Sequence, residues 1–325
     1  MRRTRIVLTG ATGFIGSAVL RRLARLREEA GRPAPVHVHG VGRRLTSGTA
    51  ALVDDWTSAD LGDPGSLPGV CEGADVLLHL AASQSSDEAH STGVNVHGTA
   101  ALMREASRCG VRRIVHLSTA AVYGPGPHRG IGVDEVAPVP ISVTSRTRLA
   151  GEKYALAAGA CVLRPGLVLG QGDRWVVPAL AEFITAVPAL WDGGRARVSM
   201  VAVDDLSRLI AHIATASPLP GPRVWHASHP DPVSTRDLLA TLSRHLGVPA
   251  VSAELAWEDC RSRLRASACK LSERQFALVA RDHWYDSREI WSAADCDPGP
   301  GPLSRVPEAA PWYRALLAVL PERHG

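Results

Sequence analysis

The stretch IVLTGATGFIG, residues 6–16, decides the expected fold of this 325-residue chain. An apolar run is followed at once by glycines at 10, 13 and 16 and then by residues 17–26, whose apolar side chains recur at helical spacing. Glycines at a strand-to-helix turn let the backbone approach a phosphate, which the helix N-terminus attracts. Glycines alone would predict only a turn, but the order strand, glycines, helix predicts a dinucleotide-binding unit.

The first 170 residues continue this alternation of short apolar runs and helical patterns. Strands are predicted at 5–8, 36–41, 76–80, 113–118 and 160–163, and helices at 17–26, 94–108 and 145–157. Such alternation is typical of a parallel sheet covered by helices. The predicted fold class is therefore α/β, with a Rossmann-type doubly wound parallel sheet that binds its ligand at the carboxyl ends of the strands.

Beyond residue 170 the pattern is looser. Helices are predicted at 178–187, 204–216, 235–246 and 311–320, with a Pro/Gly-rich loop at 297–307. We expect a dinucleotide-binding domain over 1–170 and a smaller, discontinuous substrate-binding lobe over 171–325. Residues 252–281 are predicted to form two helices that act as a lid. The side chains that would line its inner face are Leu255, Leu264, Leu271, Phe276 and Val279.

Composition excludes several classes of function. Hydrophobic residues make up 45% of the chain and charged residues 21%, and no apolar run approaches the roughly 20 residues that span a membrane. The first apolar run is too short for a signal peptide, so a cytoplasmic location is expected. The net charge of +4 is not gathered into a basic stripe with aromatics, which argues against nucleic-acid binding. The six cysteines have no zinc-ligand spacing, so no metal site is predicted.

The choice between NAD and NADP is read at the end of the second strand. An NAD enzyme usually carries a carboxylate there for the ribose 2′-hydroxyl. This chain has Arg43 and Arg44 instead, and guanidinium groups suit a 2′-phosphate. NADP(H) is the predicted cofactor; the alternative is two solvated arginines in a chain that has only two lysines.

The motif TGATGFIG, with its G-x-x-G-x-x-G spacing, resembles the extended short-chain dehydrogenase/reductase family. Further ordered matches are Asp60-Leu61, His79–Ala82, Val94–Thr99, Leu117–Gly124 and Leu163–Gly170. The resemblance implies cofactor contacts from Gly10, Thr12, Gly13, Phe14, Ile15, Gly16, Asp60, Leu61, Leu80, Ala81, Ala82, Asn95, Ser118, Pro165, Gly166, Leu167 and Val168.

The family's Tyr-x-x-x-Lys pair is missing. Members of the family use the lysine to bind the ribose and the tyrosine to pass a proton. The matching positions here are Thr144 and Arg148, while Thr119 occupies the family's Ser/Thr position. Arg148 can still hold ribose hydroxyls but its pKa is too high for a proton relay, and a threonine hydroxyl is a far weaker acid than a phenol. Thr119, Thr144 and Arg148 are the candidate catalytic residues.

The lobe composition bears on the substrate. Seven of the eight tryptophans follow residue 170, and they either fill the core or line a pocket for a flat, polycyclic ligand. The chain is similar to atypical ketoreductases that tailor aromatic polyketides of the angucyclinone type. That similarity implies reduction of a carbonyl of a small-molecule aromatic polyketide in antibiotic biosynthesis. Because the chain lacks the tyrosine, an acidic phenol on the substrate is expected to supply the proton. The alternatives are a non-catalytic NADP(H) sensor and a nucleotide-sugar 4-ketoreductase or epimerase. A homodimer is compatible with the family.

Overall fold

The structure is a computed structural model that describes residues 3–29, 36–216 and 221–319. The strands are β1 (Thr4–Thr9), β2 (Val36–Gly42), β3 (Asp55–Ser58), β4 (Val76–His79), β5 (Arg113–Leu117), β6 (His128–Ile131), β7 (Cys161–Arg164), β8 (Leu167–Leu169), β9 (Leu190–Trp191), β10 (Arg197–Val198), β11 (Met200–Ala202), β12 (Val224–His226), β13 (Val233–Ser234), β14 (Glu254–Leu255) and β15 (His283–Tyr285). The α-helices are α1 (Phe14–Glu29), α2 (Ser47–Ala50), α3 (Glu88–Thr92), α4 (Thr99–Arg108), α5 (Val143–Ala157), α6 (Val176–Ala186), α7 (Val203–Thr215), α8 (Thr235–Leu246), α9 (Trp257–Ala266), α10 (Glu273–Ala280), α11 (Arg288–Ala293) and α12 (Val306–Val319).

The main sheet has seven strands in the order β12-β7-β5-β4-β1-β2-β3. All six pairings are parallel. The strand order reverses direction between β1 and β4, the point at which ligands bind in doubly wound sheets. Both faces are covered by helices, because the inner strands are apolar on both sides and must be buried on both. The predicted fold class is confirmed.

Two elements of this sheet layer come from beyond residue 170. β12 extends the sheet next to β7, and α7 packs against α1 in the same apolar core. The sequence prediction had assigned both to the substrate lobe. Its division at 170 therefore does not coincide with the edge of the sheet, since the chain returns to the Rossmann layer after leaving it.

The second lobe has its own apolar core around α6, α8, α9, α10 and α12. The expected helices within 252–281 are present as α9 and α10. Leu264, Phe276 and Val279 are buried in this core, and Leu255 and Leu271 pack against it. These side chains therefore have a structural role in the lobe; movement of the segment as a lid stays a prediction.

Three general features of the described ranges bear on function. No helix there is both long and apolar enough to cross a membrane. The same part of the chain has no group of three or more His, Cys, Asp or Glu side chains arranged to hold a metal ion. All six cysteines are free thiols.

Candidate functional site

The glycine-rich loop between β1 and α1 forms a cradle in which a larger side chain would collide. A Cβ atom on Gly16 would stand 2.0 Å from the Gly10 carbonyl oxygen, and one on Gly10 would stand 2.7 Å from the Ala81 amide nitrogen. Gly10 also has a φ of 78°, which other residues rarely adopt. α1 begins at Phe14 and has no acidic residue in its first turn, so its N-terminus suits an anion. This geometry fits the pyrophosphate of a dinucleotide.

Two exposed arginines follow β2, where the adenosine ribose is expected. The side chains of Arg43 and Arg44 are both exposed. The neighbouring Asp60 carboxylate accepts a hydrogen bond from the Gly62 amide at 2.9 Å and so closes its own turn. The strand end therefore presents guanidinium groups, and these suit a 2′-phosphate.

A π-helical turn, residues 93–98, precedes α4 and positions Asn95. Asn95 is buried; its Oδ1 accepts from the Ser83 amide at 2.7 Å and its Nδ2 donates to Thr147 Oγ1 at 2.9 Å. A Cβ atom on the last glycine of the turn would stand 2.2 Å from the Leu61 carbonyl oxygen. Single π-helical turns inside helices often mark functional sites. Here the turn contacts three parts of the chain. They are Leu61 of the expected adenine segment, Ser83 in the loop after β4, and Thr147 on α5.

Thr144 and Arg148 lie on consecutive turns of α5. The helix begins with a capping box, in which Ser142 Oγ accepts from the Ser145 amide at 3.1 Å. Thr144 is half-buried. The Arg148 guanidinium donates to the Leu117 carbonyl oxygen. Arg148 thus joins the helix to the end of β5, which carries the other candidate residues.

Thr119 and Ser118 follow β5 and face different partners. Thr119 is half-buried, and its Oγ1 accepts a hydrogen bond from the Ala121 amide at 3.2 Å. Ser118 is 1% exposed and donates its hydroxyl hydrogen to the Glu152 carboxylate on α5. Ser118 therefore anchors the segment, whereas the Thr119 hydroxyl keeps its proton for another acceptor.

A buried ion pair that the sequence reasoning missed holds these segments together. Arg164 and Glu152 form two hydrogen bonds of 2.6 and 3.0 Å. Arg164 also donates to the Tyr123 hydroxyl at 2.8 Å, and His226 Nε2 lies 2.7 Å from the same oxygen. A signal was present: Arg164 ends an otherwise apolar buried strand, where a charge needs a partner.

The segment Pro165–Val168 is fixed from both sides. The Pro165 carbonyl accepts from the Ala120 amide at 2.8 Å, and the Gly166 amide donates to Ser228 Oγ at 2.9 Å. A Cβ atom on Gly166 would stand 2.3 Å from the Ser199 carbonyl oxygen. The expected nicotinamide segment is therefore held between the residues that follow β5 on one side and Ser199 and Ser228 on the other.

A buried histidine pair lies beneath Arg148. The rings of His79 and His116 are 5.0 Å apart, and His79 contacts Thr9 Oγ1 and Thr99 Oγ1 at 2.9 Å each. Burial, assisted by the Arg148 charge, lowers the pKa of His79 to about 3. Burial likewise lowers the pKa of His116 well below its ordinary value, and lowers the pKa of Arg148 only to about 10. At neutral pH the histidines are uncharged and Arg148 remains a cation.

The match to a protein family extends from the glycine cradle to β12. A model described as the NAD dependent epimerase/dehydratase family matches residues 6–226. The chain belongs to this family. The matched range includes α7 and β12, in agreement with their place in the sheet layer.

Several of the proteins that are similar in sequence to this chain are dehydrogenases or reductases. Two 3beta-hydroxysteroid-dehydrogenase/decarboxylase isoforms of Arabidopsis thaliana are 30% identical over 54% of this chain, which spans 44% and 34% of their lengths. A 4-hydroxy-2-methyl-3-oxo-4-farnesyl-3,4-dihydroquinoline-1-oxide ketoreductase of Stigmatella aurantiaca is 29% identical over 58% of this chain and 59% of that protein. A dTDP-4-dehydrorhamnose reductase of Mycobacterium tuberculosis is 29% identical over 87% of this chain and 90% of that protein. The solved structure of dTDP-glucose 4,6-dehydratase from Streptomyces venezuelae, with NAD and TYD bound, is 22% identical and has a TM-score of 0.71 over 96% of this chain and 97% of that chain.

None of the four tyrosines replaces the phenol that the family pattern leads one to expect. Tyr123 and Tyr285 are buried and stacked on each other. Tyr313 is also buried; its hydroxyl donates to Asp173 Oδ2 at 3.0 Å. Tyr154 is exposed on α5, about 15 Å along the helix from Thr144. Residues 144 and 148 form the proton-transfer position that the resemblance implies, and this position carries the half-buried Thr144 hydroxyl and the Arg148 guanidinium but no phenol.

The tryptophans of the lobe serve mainly as packing. Trp191, Trp225 and Trp291 are buried, Trp257 stacks on Phe276, and Trp284 and Trp312 each lie under an arginine. Trp175 differs: it is 68% exposed, and no aromatic ring or arginine of the described ranges packs on its indole. Core packing or contact with an arginine thus accounts for six of the seven, and within the described ranges Trp175 is the one tryptophan whose side chain is exposed.

Proposed function

We propose that this family member is an NADPH-dependent ketoreductase that reduces a carbonyl of a hydroxylated aromatic polyketide, of the angucyclinone type, in antibiotic biosynthesis. The observation that carries the proposal is the contrast between a glycine cradle that fits a dinucleotide and a proton-transfer position without a phenol or an ammonium group. The sequence resemblance to the angucyclinone ketoreductase of simocyclinone biosynthesis supports this substrate class. The similarity to a bacterial ketoreductase of a farnesylated dihydroquinoline oxide supports the reaction type.

The residues of the cleft fit NADP(H) in three places. The cradle of Gly10, Gly13 and Gly16 would hold the pyrophosphate, and Arg43 with Arg44 would hold the 2′-phosphate. Arg148, cationic at neutral pH, would hold the ribose hydroxyls. When bound, the reduced nicotinamide supplies a hydride to the substrate carbonyl carbon.

The alkoxide that results needs one proton, and the chain has no good acid for it. The hydroxyls of Thr119 and Thr144 are far weaker acids than a phenol, whose pKa is about 10. A phenol on the substrate beside the carbonyl would lie within hydrogen-bond reach without help from the protein. Its O–H bond breaks as the alcohol O–H bond forms, and the phenolate then takes a proton from water. Thr119 orients the carbonyl oxygen by a hydrogen bond.

Two other functions each have an observation in their favour. The loss of the tyrosine and lysine fits a sensor that binds NADP(H) without turnover. The similarity to a dTDP-4-dehydrorhamnose reductase along most of the chain fits a nucleotide-sugar reductase. An epimerase or dehydratase is disfavoured, because those reactions need an acid or base that this position lacks.

The function is tested by following NADPH oxidation at 340 nm with three groups of substrates. Hydroxyaryl ketones and quinones form the first group, dTDP-4-keto sugars the second and simple aliphatic ketones the third. The proposal expects turnover in the first group only. Turnover confined to the keto sugars assigns the nucleotide-sugar function. Tight NADPH binding without oxidation in any group assigns the sensor.

A further inference from the structure

The exposed ring of Trp175 lies on an ordered backbone. The Asp173 carboxylate, 1% exposed, accepts hydrogen bonds from the amides of Trp175 at 2.7 Å, Val176 at 2.9 Å and Val177 at 3.0 Å. The Tyr313 hydroxyl donates to the same carboxylate. Four hydrogen bonds thus fix the start of α6. The indole is therefore presented to solvent from a rigid support.

The loop that carries Trp175 contacts the first residue of α1, next to the dinucleotide cradle. It follows β8, whose first residues belong to the expected nicotinamide segment. Gly172 in this loop has a φ of 103°, and a Cβ atom there would stand 3.0 Å from the ring of Phe14, the first residue of α1. Trp175 lies on this same loop, three residues after the glycine that contacts Phe14.

A second exposed apolar segment borders the proton-transfer position. Val139 is 60% exposed, and Ile141 is also exposed, just before α5 begins. A Cβ atom on Gly124, at the end of the Thr119 turn, would stand 2.3 Å from the Val139 carbonyl oxygen. Exposed apolar side chains therefore occur on two segments. One contacts the cradle, and the other lies next to the candidate catalytic threonines. Such exposure beside a cleft is typical of ligand contact.

We propose that Trp175 is a stacking platform that selects substrates with a flat aromatic ring system. An indole gains most from a planar partner in offset stacking, whereas a saturated ring offers it no π surface. The six other lobe tryptophans already have packing or cation–π partners, so Trp175 is the one available for a ligand in the described part of the chain. This inference rests on the proposed function for the presence of a substrate here, but stacking is measured by binding alone.

The experiment titrates two probes into the NADP⁺-saturated protein by isothermal calorimetry. The flat probe is 1,8-dihydroxyanthraquinone, and the saturated probe is 2-decalone. Trp175→Ala should weaken anthraquinone binding about tenfold, while Trp175→Phe should retain most of the affinity. Decalone affinity should be the same in all three proteins. Tyr154→Ala, which removes an exposed aromatic ring on α5, is the matched control and should change neither affinity.

Four results would overturn the platform. They are no anthraquinone binding to the wild type, an unchanged affinity in Trp175→Ala, an equal loss for decalone, or a parallel loss of NADP⁺ affinity in both Trp175 variants. The last result would mean that the indole supports the loop rather than a ligand. Anthraquinone binding that depends on Trp175 without any NADPH oxidation would refute the ketoreductase function while leaving the platform in place.

Discussion

The dinucleotide cradle and the proton-transfer position both lie at the carboxyl ends of strands of the main sheet. They differ in how closely their residues match the family pattern. The cradle keeps its three glycines, and the backbone is so close that a Cβ atom on Gly16 would stand 2.0 Å from Gly10 O. At the proton-transfer position, the family resemblance leads one to expect a tyrosine and a lysine, and the chain has Thr144 and Arg148 on a regular helix. A backbone contact has no substitute, whereas a proton can come from any acid within reach.

The side chains around Thr144 and Arg148 are held by buried polar contacts. Glu152 and Arg164 form a buried bidentate pair, and Ser118 donates to Glu152. This pair connects α5, the end of β5 and the start of the nicotinamide segment. Such a scaffold is expected of a site that continues to position a substrate.

Glu152→Gln should cause the largest loss. It leaves the Arg164 guanidinium buried without a counter-charge, which typically costs about 3–5 kcal/mol of unfolding free energy. Urea unfolding measures it. Glu289→Gln is the matched control, because its pair with Arg223 is exposed and should contribute about 0–1 kcal/mol. Equal losses in the two variants would show that the buried pair does not hold the site together.

Gly16→Ala should displace the glycine-rich loop that forms the cradle. The new methyl group meets the Gly10 carbonyl, and displacing the loop should weaken NADP⁺ binding about 10- to 100-fold, as expected for overpacking. Titration by intrinsic fluorescence measures the affinity. Gly48→Ala is the control, since nothing lies within 4 Å of a Cβ atom there. Unchanged affinity in Gly16→Ala would contradict the proposed phosphate site.

The sequence predicted the five inner strands of the main sheet and missed the two outermost ones. β1, β2, β4, β5 and β7 were found because each is rich in apolar residues. β3 was missed because its four residues, DWTS, lie at an exposed edge and show no apolar run. β12 was missed because it has three residues and follows a long excursion into the lobe. The predicted helix 94–108 is correct in position, but its first part is a π-helical turn, which periodicity does not reveal.

The site was predictable where a motif fixes the backbone and unpredictable where side chains meet across the fold. The glycine spacing predicted the close backbone contacts of the strand-to-helix turn, whereas the roles assigned to Thr144 and Arg148 stay predictions. The link from Arg148 to Leu117 and the pair of His79 with His116 join residues far apart in the chain. Local patterns carry no information on such contacts. Trp175 could not be separated from six packed tryptophans until burial was known.

The double variant Arg43→Ala/Arg44→Ala tests whether these arginines bind the 2′-phosphate on the adenosine side of the cofactor. Loss of charge-assisted bonds to a 2′-phosphate should cost about 1.5–3 kcal/mol of NADPH binding, and NADH affinity should hardly change. Arg21→Ala/Arg25→Ala, which removes two exposed arginines of α1, controls for net charge. Equal affinity of the wild type for NADPH and NADH would refute the NADP assignment.

Thr119→Ala and Thr144→Ala should have the smallest effects. Loss of a general acid usually lowers the rate about 10²–10⁴-fold. Because neither threonine supplies the proton in this account, each variant should lose less than about tenfold in kcat/KM, the cost of one orienting hydrogen bond. Steady-state NADPH oxidation with a hydroxyaryl ketone measures both. A loss of the full general-acid size in either variant would assign the proton to that threonine.

The most direct test compares a hydroxyaryl ketone with its methyl ether, which lacks the acidic proton beside the carbonyl. In the wild type, kcat/KM for the methyl ether should fall about 10²–10⁴-fold, the usual cost of losing a general acid. Thr119→Ala and Thr144→Ala should show the same ratio between the two substrates. If the wild type reduces the methyl ether at the rate of the phenol while either threonine variant is inactive, the protein supplies the proton and substrate assistance is refuted.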